Sequence, residues 1–282
     1  MEIKIYSLKI LMTIGIVGIG FVGSALLKSF QLKNLNIVTY DKYKDGGIGD
    51  INDLLNCNII FLCLPTPYSE KTNTYDKSSL MEICSFLESN KFRGAVVLKS
   101  TVEPTTTNHL NDKFDLNLIH NPEFLSAKTA FEDFHNQKHI VLGKSNKCDI
   151  YYINIVRDFY KFYYPSAIIS TCESLESECM KIFCNNFYAT KIQFFNELYL
   201  LSNKIGANYE IIKDLMIKNG WINPMHTQVP GPDGLLSFGG YCFVKDTAAL
   251  LSFMKINNTH SDVLQAVVNE RNKMRSDKDN II

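Results

Sequence analysis

An apolar run at residues 14–17 leads into Gly18, Gly20 and Gly23, and a helical pattern begins immediately after them. No other feature restricts the fold as strongly. Glycines in G-x-G-x-x-G spacing let a strand turn sharply into a helix, let backbone approach a phosphate, and let the helix pack tightly on the strand. The helix start also offers unpaired N–H groups and the positive end of its dipole to an anion. Such a turn belongs at the carboxyl edge of a parallel sheet, and short apolar runs alternating with amphipathic stretches supply that sheet up to about residue 144. Strands are predicted at 13–17, 36–40, 59–64, 95–99, 116–120 and 139–143, with helices such as 21–32 and 77–90 between them. The fold class is therefore α/β, with a doubly wound, Rossmann-type parallel sheet over residues 12–150.

Asp41, eighteen residues beyond Gly23, ends the second predicted strand. A carboxylate there accepts both hydroxyls of a ribose and repels a 2′-phosphate, so the expected cofactor is NAD rather than NADP. Gly18, Gly20, Phe21, Val22 and Gly23 form its expected cradle. Two later strand ends reach the same edge, one as Leu64-Pro65-Thr66-Pro67 and one as Lys99-Ser100-Thr101. Pro65, Thr66, Ser100 and Thr101 are candidate walls for the cofactor, although residues of these types more often cap helices.

Beyond residue 150 the strand signal fades apart from 167–170, and helical periodicity takes over at 173–205 and 209–218. A Gly/Pro-rich loop at 219–240 and two further helices complete the chain. Residues 151–171 are read as the end of the α/β domain and its connection, and 172–282 as a mostly helical second domain built around one long helix. That helix, with aromatics and leucines along its length, is a candidate homodimer interface; the pattern equally allows burial within its own chain. Residues 1–11 precede the first strand and read as an extension, with Met12 a natural first residue.

Lys+Arg and Asp+Glu both total 29 among 282 residues, so no net basic field exists to hold a nucleic acid or an anionic membrane. The stretch 8–27 is apolar enough to suggest a signal peptide or a span, but four glycines interrupt it and Lys28 follows. It reads as a buried strand entering a turn. The eight cysteines show neither a CxxC pair nor a Cys/His metal spacing, which indicates a reducing, cytoplasmic setting and no metal.

Three segments carry reactive groups. Glu123, in His120-Asn121-Pro122-Glu123, follows a predicted strand and reaches the same edge as Thr101, where a carboxylate can act as a general base. Alone it reads as a surface glutamate. Lys181 and Asn185 stand four apart on the long helix and share a face, so a cation and an amide can hold a developing oxyanion or position a water. A solvated lysine on an amphipathic helix has the same pattern. Cys242 follows the pair Gly239-Gly240 at the start of a predicted helix, where the helix N-terminus and Lys245 favour a nucleophilic thiolate. Asp246 shares its helix face.

GIVGIGFVG, LCLPTP, LKSTVEPTT, HNPEFLSAKTA, ESECMKIFCNNFYATKIQFFNE and VPGPDGLLSFGGYCFVKD together resemble, in order and spacing, the UDP-glucose/GDP-mannose dehydrogenase family from about Met12 onward. The resemblance implies a four-electron oxidation of a nucleotide sugar, with UDP-glucose to UDP-glucuronate leading, through a cysteine thiohemiacetal and thioester. It implies Cys242 as nucleophile, Glu123 as base for thioester hydrolysis, Lys181 and Asn185 on the oxyanion, and Asp246 and Thr101 on the water. Gly18, Gly20, Gly23, Asp41, Thr66, Thr101 and Lys245 would line NAD. Glu123, Phe124, Leu125, Lys181, Asn185, Gly231, Phe238, Gly239 and Gly240 would contact the substrate.

The chain departs from the family pattern in four places. Trp221 stands where an arginine is frequent, Val244 replaces a frequent proline, and Ala127-Lys128 replaces a frequent Glu-Gly. Family members generally continue into a C-terminal domain that grips the uridine, so either a separate chain supplies it here or this chain binds its nucleotide weakly or differently. Two rival readings share parts of this pattern: a one-step β-hydroxyacid dehydrogenase using Lys181 as acid/base, and a non-catalytic NAD-binding subunit of a larger assembly.

Overall fold

A computed structural model describes residues 12–126 and 128–275. The expected extension at 1–11 and Ala127 lie outside them. Seven strands, β1 (Thr13–Val17), β2 (Asn36–Tyr40), β3 (Ile59–Leu62), β6 (Ala95–Leu98), β7 (Asn117–His120), β8 (His139–Lys144) and β9 (Ile168–Glu173), form one sheet in the order β2-β1-β3-β6-β7-β8-β9. β4 (Tyr68–Ser69) and β5 (Thr74–Tyr75) form a separate antiparallel hairpin. The helices are α1 (Phe21–Leu32), α2 (Ser78–Ser89), α3 (Thr106–Lys113), α4 (Ala130–His135), α5 (Ile150–Tyr163), α6 (Ser174–Ile205), α7 (Tyr209–Lys218), α8 (Tyr241–Ile256) and α9 (Asp262–Met274).

The strands are almost continuously apolar because helices cover both faces. Ile14, Ile16, Ile59, Phe61, Ala95 and Val97 point to the face of α1, α4 and α5, where Phe30, Phe134 and Phe159 are buried with them. Val17, Ile60, Leu62, Val96, Leu98 and Leu118 point to the opposite face, against α2 and α3. Phe30 packs edge-on to Phe134 and Phe159 at 5.8 and 5.5 Å between ring centroids. Truncating a ring at this centre costs about 3–5 kcal/mol.

The sheet is mostly parallel, as expected, with one antiparallel pair. β2, β1, β3, β6 and β7 are parallel, but β8 runs antiparallel to β7. The six-residue α4 between them packs beside α1 rather than crossing the sheet, so the chain returns in the opposite sense. β3 and β6 end earlier than predicted, at Leu62 and Leu98, and β3 stops just short of the prolines that cannot donate to a ladder. β9 runs further than predicted, pairing with β8 through Glu173; its later residues are polar and lack an apolar signal. The hairpin of β4 and β5 was not anticipated, since two residues per strand carry no periodicity.

The chain forms two compact units, and the division falls within α6. Residues up to Thr66 and Asp76–Lys181 make the first; Pro67–Tyr75 and the residues from Ile182 onward make the second. In the first unit, five strand ends bring Gly18, Asp41, Cys63, Lys99 and Asn121 to one edge. In the second, Tyr75 of the hairpin is buried with Ile182, Ala249, Leu250, Leu251 and Leu264. Among the described residues no helix is long and apolar enough to cross a membrane.

Candidate active site

The three glycines after β1 have different work. Gly18 has φ +85°, and a Cβ on it would lie 2.6 Å from the Cys63 carbonyl oxygen. A Cβ on Gly23 would lie 1.9 Å from the Gly18 oxygen, whereas one on Gly20 would meet nothing within 4 Å. The outer glycines therefore close the turn and the middle one faces open space, as close approach of a pyrophosphate requires. Phe21 and Val22 begin α1, and Gly20 gives that helix no side-chain cap, leaving its first N–H groups for a ligand.

Asp41 is engaged differently from the expectation. Its Oδ2 accepts from Ile19 N at 2.7 Å, and its Oδ1 from Tyr43 N and Lys44 N at 3.0 and 2.9 Å. Partial burial opposes its ionisation, but the N–H groups of Lys44, Ile19 and Tyr43 outweigh burial and hold the carboxyl below the usual range. Asp41 thus ties the end of β2 to the glycine turn. Lys44 Nζ donates to Ile19 O at 2.6 Å. A cleft of about 590 Å³ opens here, lined in part by Gly20, Phe21, Ser24, Lys28, Lys44 and Lys128. These three lysines carried no expectation from the sequence; their signal is spatial, since they come from three segments.

The hydroxyls of the two expected walls lace the loops together. Thr66 Oγ1 donates to Thr101 O at 2.7 Å, and Ser100 Oγ donates to Leu64 O at 2.7 Å. Pro65 is exposed and Thr101 half-buried.

Lys181 and Glu123 come together in the first unit. Lys181, 3% exposed, donates to the Glu123 carbonyl oxygen, and its Nζ is 3.4 Å from Glu123 Oε1. Glu123 Oε2 accepts from Leu125 N at 2.7 Å, and the Phe124 ring lies 4.6 Å from the ammonium. Beneath this loop, Asn121 donates from Nδ2 to Val141 O and accepts at Oδ1 from Tyr160 OH and Lys99 Nζ. Burial brings Lys99 down to about 8. Burial, then Lys99 and Lys181, pushes His120 down to about 3, while its Nδ1 stands 2.8 Å from Ser177 Oγ. Glu178 binds the start of α3 through Thr105 N, Thr107 N and Thr107 Oγ1, and burial pushes it up to about 7.

The second unit holds Cys242, Asn185, Lys245 and Asp246. Of the eight cysteines Cys242 alone is exposed, in the first turn of α8 after Gly240 at φ +75°. Asp246, one turn on, is fully buried rather than sharing that exposure. Its carboxylate accepts from Tyr75 OH at 2.5 Å, Lys245 Nζ at 2.6 Å and Asn185 Nδ2 at 2.7 Å. Lys245 is thus committed to Asp246, and its ammonium sits 4.5 Å from the Tyr75 ring centroid. Tyr75 was missed by sequence reasoning because its partner is 171 residues away.

The loop before α8 is braced from α9 and from the arginine that follows it. Arg275 Nη2 pairs with Asp233 Oδ2 at 2.7 Å, and a Cβ on Gly239 would lie 2.4 Å from that same nitrogen. Gly239 therefore makes room for a guanidinium. Arg271 Nε donates to Phe238 O at 3.3 Å, and Gly231 N donates to Leu235 O at 2.9 Å. Trp221 is 91% exposed.

Residues 47–163 match the NAD binding domain, and 175–273 the central domain, of the UDP-glucose/GDP-mannose dehydrogenase family. A UDP-glucose 6-dehydrogenase from Rickettsia bellii is 33% identical over 244 residues, covering 80% of this chain and 52% of that protein. One from Campylobacter jejuni is 27% identical over 305 residues, covering 94% of this chain and 72% of that protein. The chain spans about half the length of the Rickettsia relatives it matches. A solved UDP-glucose dehydrogenase from Pyrobaculum islandicum superposes with a TM-score of 0.82 at 23% identity, covering 94% of this chain and 69% of that one.

Proposed function

Since the chain belongs to the UDP-glucose/GDP-mannose dehydrogenase family and carries its NAD-binding domain, we propose that it oxidises the primary alcohol of a nucleotide sugar to a carboxylate, with UDP-glucose as substrate and UDP-glucuronate as product. The observation that carries this reading is Cys242, the one exposed cysteine, in the first turn of a helix behind a glycine pair. A thiol so placed is accessible to a carbonyl and lies near the positive end of a helix dipole.

NAD fits the first unit: an open approach at Gly20, an uncapped helix start and a lysine-lined cleft all suit a pyrophosphate. Its chemistry there is to accept a hydride, and two equivalents are needed per sugar. The alcohol loses a hydride and a proton to become an aldehyde. Cys242 Sγ adds to the aldehyde carbon, and the oxygen takes up a proton to complete a thiohemiacetal. Loss of a second hydride and that proton leaves a thioester. Water then adds to the thioester carbon while Glu123 takes its proton, and the C–S bond breaks to give carboxylate and thiol.

Lys181 and Asn185 support the oxygen as charge develops on it, and a buried ammonium is well suited to that. Asp246 and Thr101 position the water, with Asp246 also orienting the Asn185 amide. The sugar and its diphosphate contact Phe124, Leu125, Gly231, Phe238, Gly239 and Gly240, and the protein works as a homodimer in a reducing, cytoplasmic setting.

Substitution of Cys242 tests the covalent step. Cys242→Ala is expected to abolish carboxylate formation. Cys242→Ser is expected to hold the sugar as a slowly hydrolysing ester, visible as a mass increase of the intact protein. Wild-type turnover in either variant contradicts the thioester.

A further inference from the structure

We propose that Lys99 is a positioning residue for Glu123, holding the Asn121–Glu123 backbone so that the carboxylate meets the water that hydrolyses the thioester. The proposal rests on the assignment of Glu123 as the hydrolytic base.

Lys99 leaves β6 at the carboxyl edge and is 2% exposed. Its Nζ donates to Asn121 Oδ1 at 3.0 Å and to Pro122 O at 3.4 Å. Lys181 donates to the next carbonyl, that of Glu123. Two consecutive carbonyls therefore each face a buried ammonium. Asn121 is held independently by Tyr160 OH at 2.6 Å and by its own bond to Val141 O at 2.8 Å. Lys99 after β6, β8, α5 and α6 thus hold the Asn121 side chain and the Pro122 and Glu123 carbonyls, so the segment bearing Glu123 has little freedom left. A general base must be held in this way, since a displacement of about 1 Å can cost about 100-fold in rate.

A neutral donor would satisfy the same oxygens without the desolvation cost of a buried ammonium, which is several kcal/mol. What the charge adds is strength, because charge-assisted hydrogen bonds are about twice as strong as neutral ones. The titratable groups facing Lys99 are Cys63, Glu123, Lys181 and His120, with Tyr160 sharing its acceptor. Burial pushes the Cys63 thiol up to about 12 and the His120 ring down to about 3, so both are neutral at pH 7. Glu123 is the single anion facing two lysines in this group. Burial also brings Lys99 down to about 8, so its charge is present below that pH and lost above it.

The test uses the full chain with UDP-glucose and NAD, comparing wild type with Lys99→Met and Tyr160→Phe. Lys99→Met is expected to lower kcat about 100-fold with KM for both substrates unchanged, and to accumulate a sugar adduct on Cys242 in the intact mass. Wild-type kcat should fall above about pH 8, and Lys99→Met should lack that limb. Tyr160→Phe, which deletes one hydroxyl from the same Asn121 oxygen, is expected to slow hydrolysis in the same sense and carries the test if Lys99→Met fails to fold. Two NADH per sugar in wild type, with wild-type kcat and no adduct in the variant, overturns the role of Lys99 alone. One NADH or none in wild type overturns the thioester reading, and the role of Lys99 with it.

Discussion

His120 is fully buried, and burial, then the charges of Lys99 and Lys181, push it down to about 3, so its ring is neutral at pH 7. Its free value of 6.5 lies above the folded one, so between about 3 and 6.5 the unfolded chain binds more protons. The stability it contributes is present above pH 6.5 and is lost as pH falls toward 3. At about 1.4 kcal/mol per pH unit, wild type should lose about 2 kcal/mol from this site between pH 6.5 and about 5. Glu178, pushed up to about 7, acts in the opposite sense but equally in both proteins when wild type is compared with His120→Asn. Urea midpoints at the two pH values should fall further in wild type than in the variant; equal falls would show that His120 takes up no extra proton on unfolding. The residue types of the site were readable because motifs announce them, as with Glu123, Lys181 and Cys242. Lys99, Tyr75 and Arg275 were not, because each acquires its role from a partner 22, 171 or 42 residues distant.

Elements with a long period were legible, and short ones were not. α1 and α7 fall at their predicted bounds, and α6 differs from its prediction by one residue, because Glu173 pairs in β9 instead. The hairpin of β4 and β5 is stabilised by Tyr75 packing with residues of α6, α8 and α9, a tertiary contact that leaves no local pattern. From Ile182 onward, α6 exposes Phe183, Phe187, Phe194, Leu201 and Ile205 at spacings of four and seven. Such a stripe is costly in water and suits an isologous contact with a second copy of the same helix. Light scattering should report a dimer for wild type and a monomer for Phe187→Asp combined with Phe194→Asp. A monomeric wild type contradicts this interface.

At the scale of the whole molecule, each compact unit carries its own polar cluster, one around Glu123 and Lys181 and one around Asp246 and Cys242. A one-step dehydrogenase needs an acid/base lysine but makes no use of an exposed cysteine. The chain belongs to the UDP-glucose/GDP-mannose dehydrogenase family and spans about half the length of the Rickettsia relatives it matches. The decisive measurement is the NADH produced by the purified chain from limiting UDP-glucose with excess NAD. Two NADH per sugar, with UDP-glucuronate as product, is the predicted result. One NADH per sugar, or none, contradicts the account.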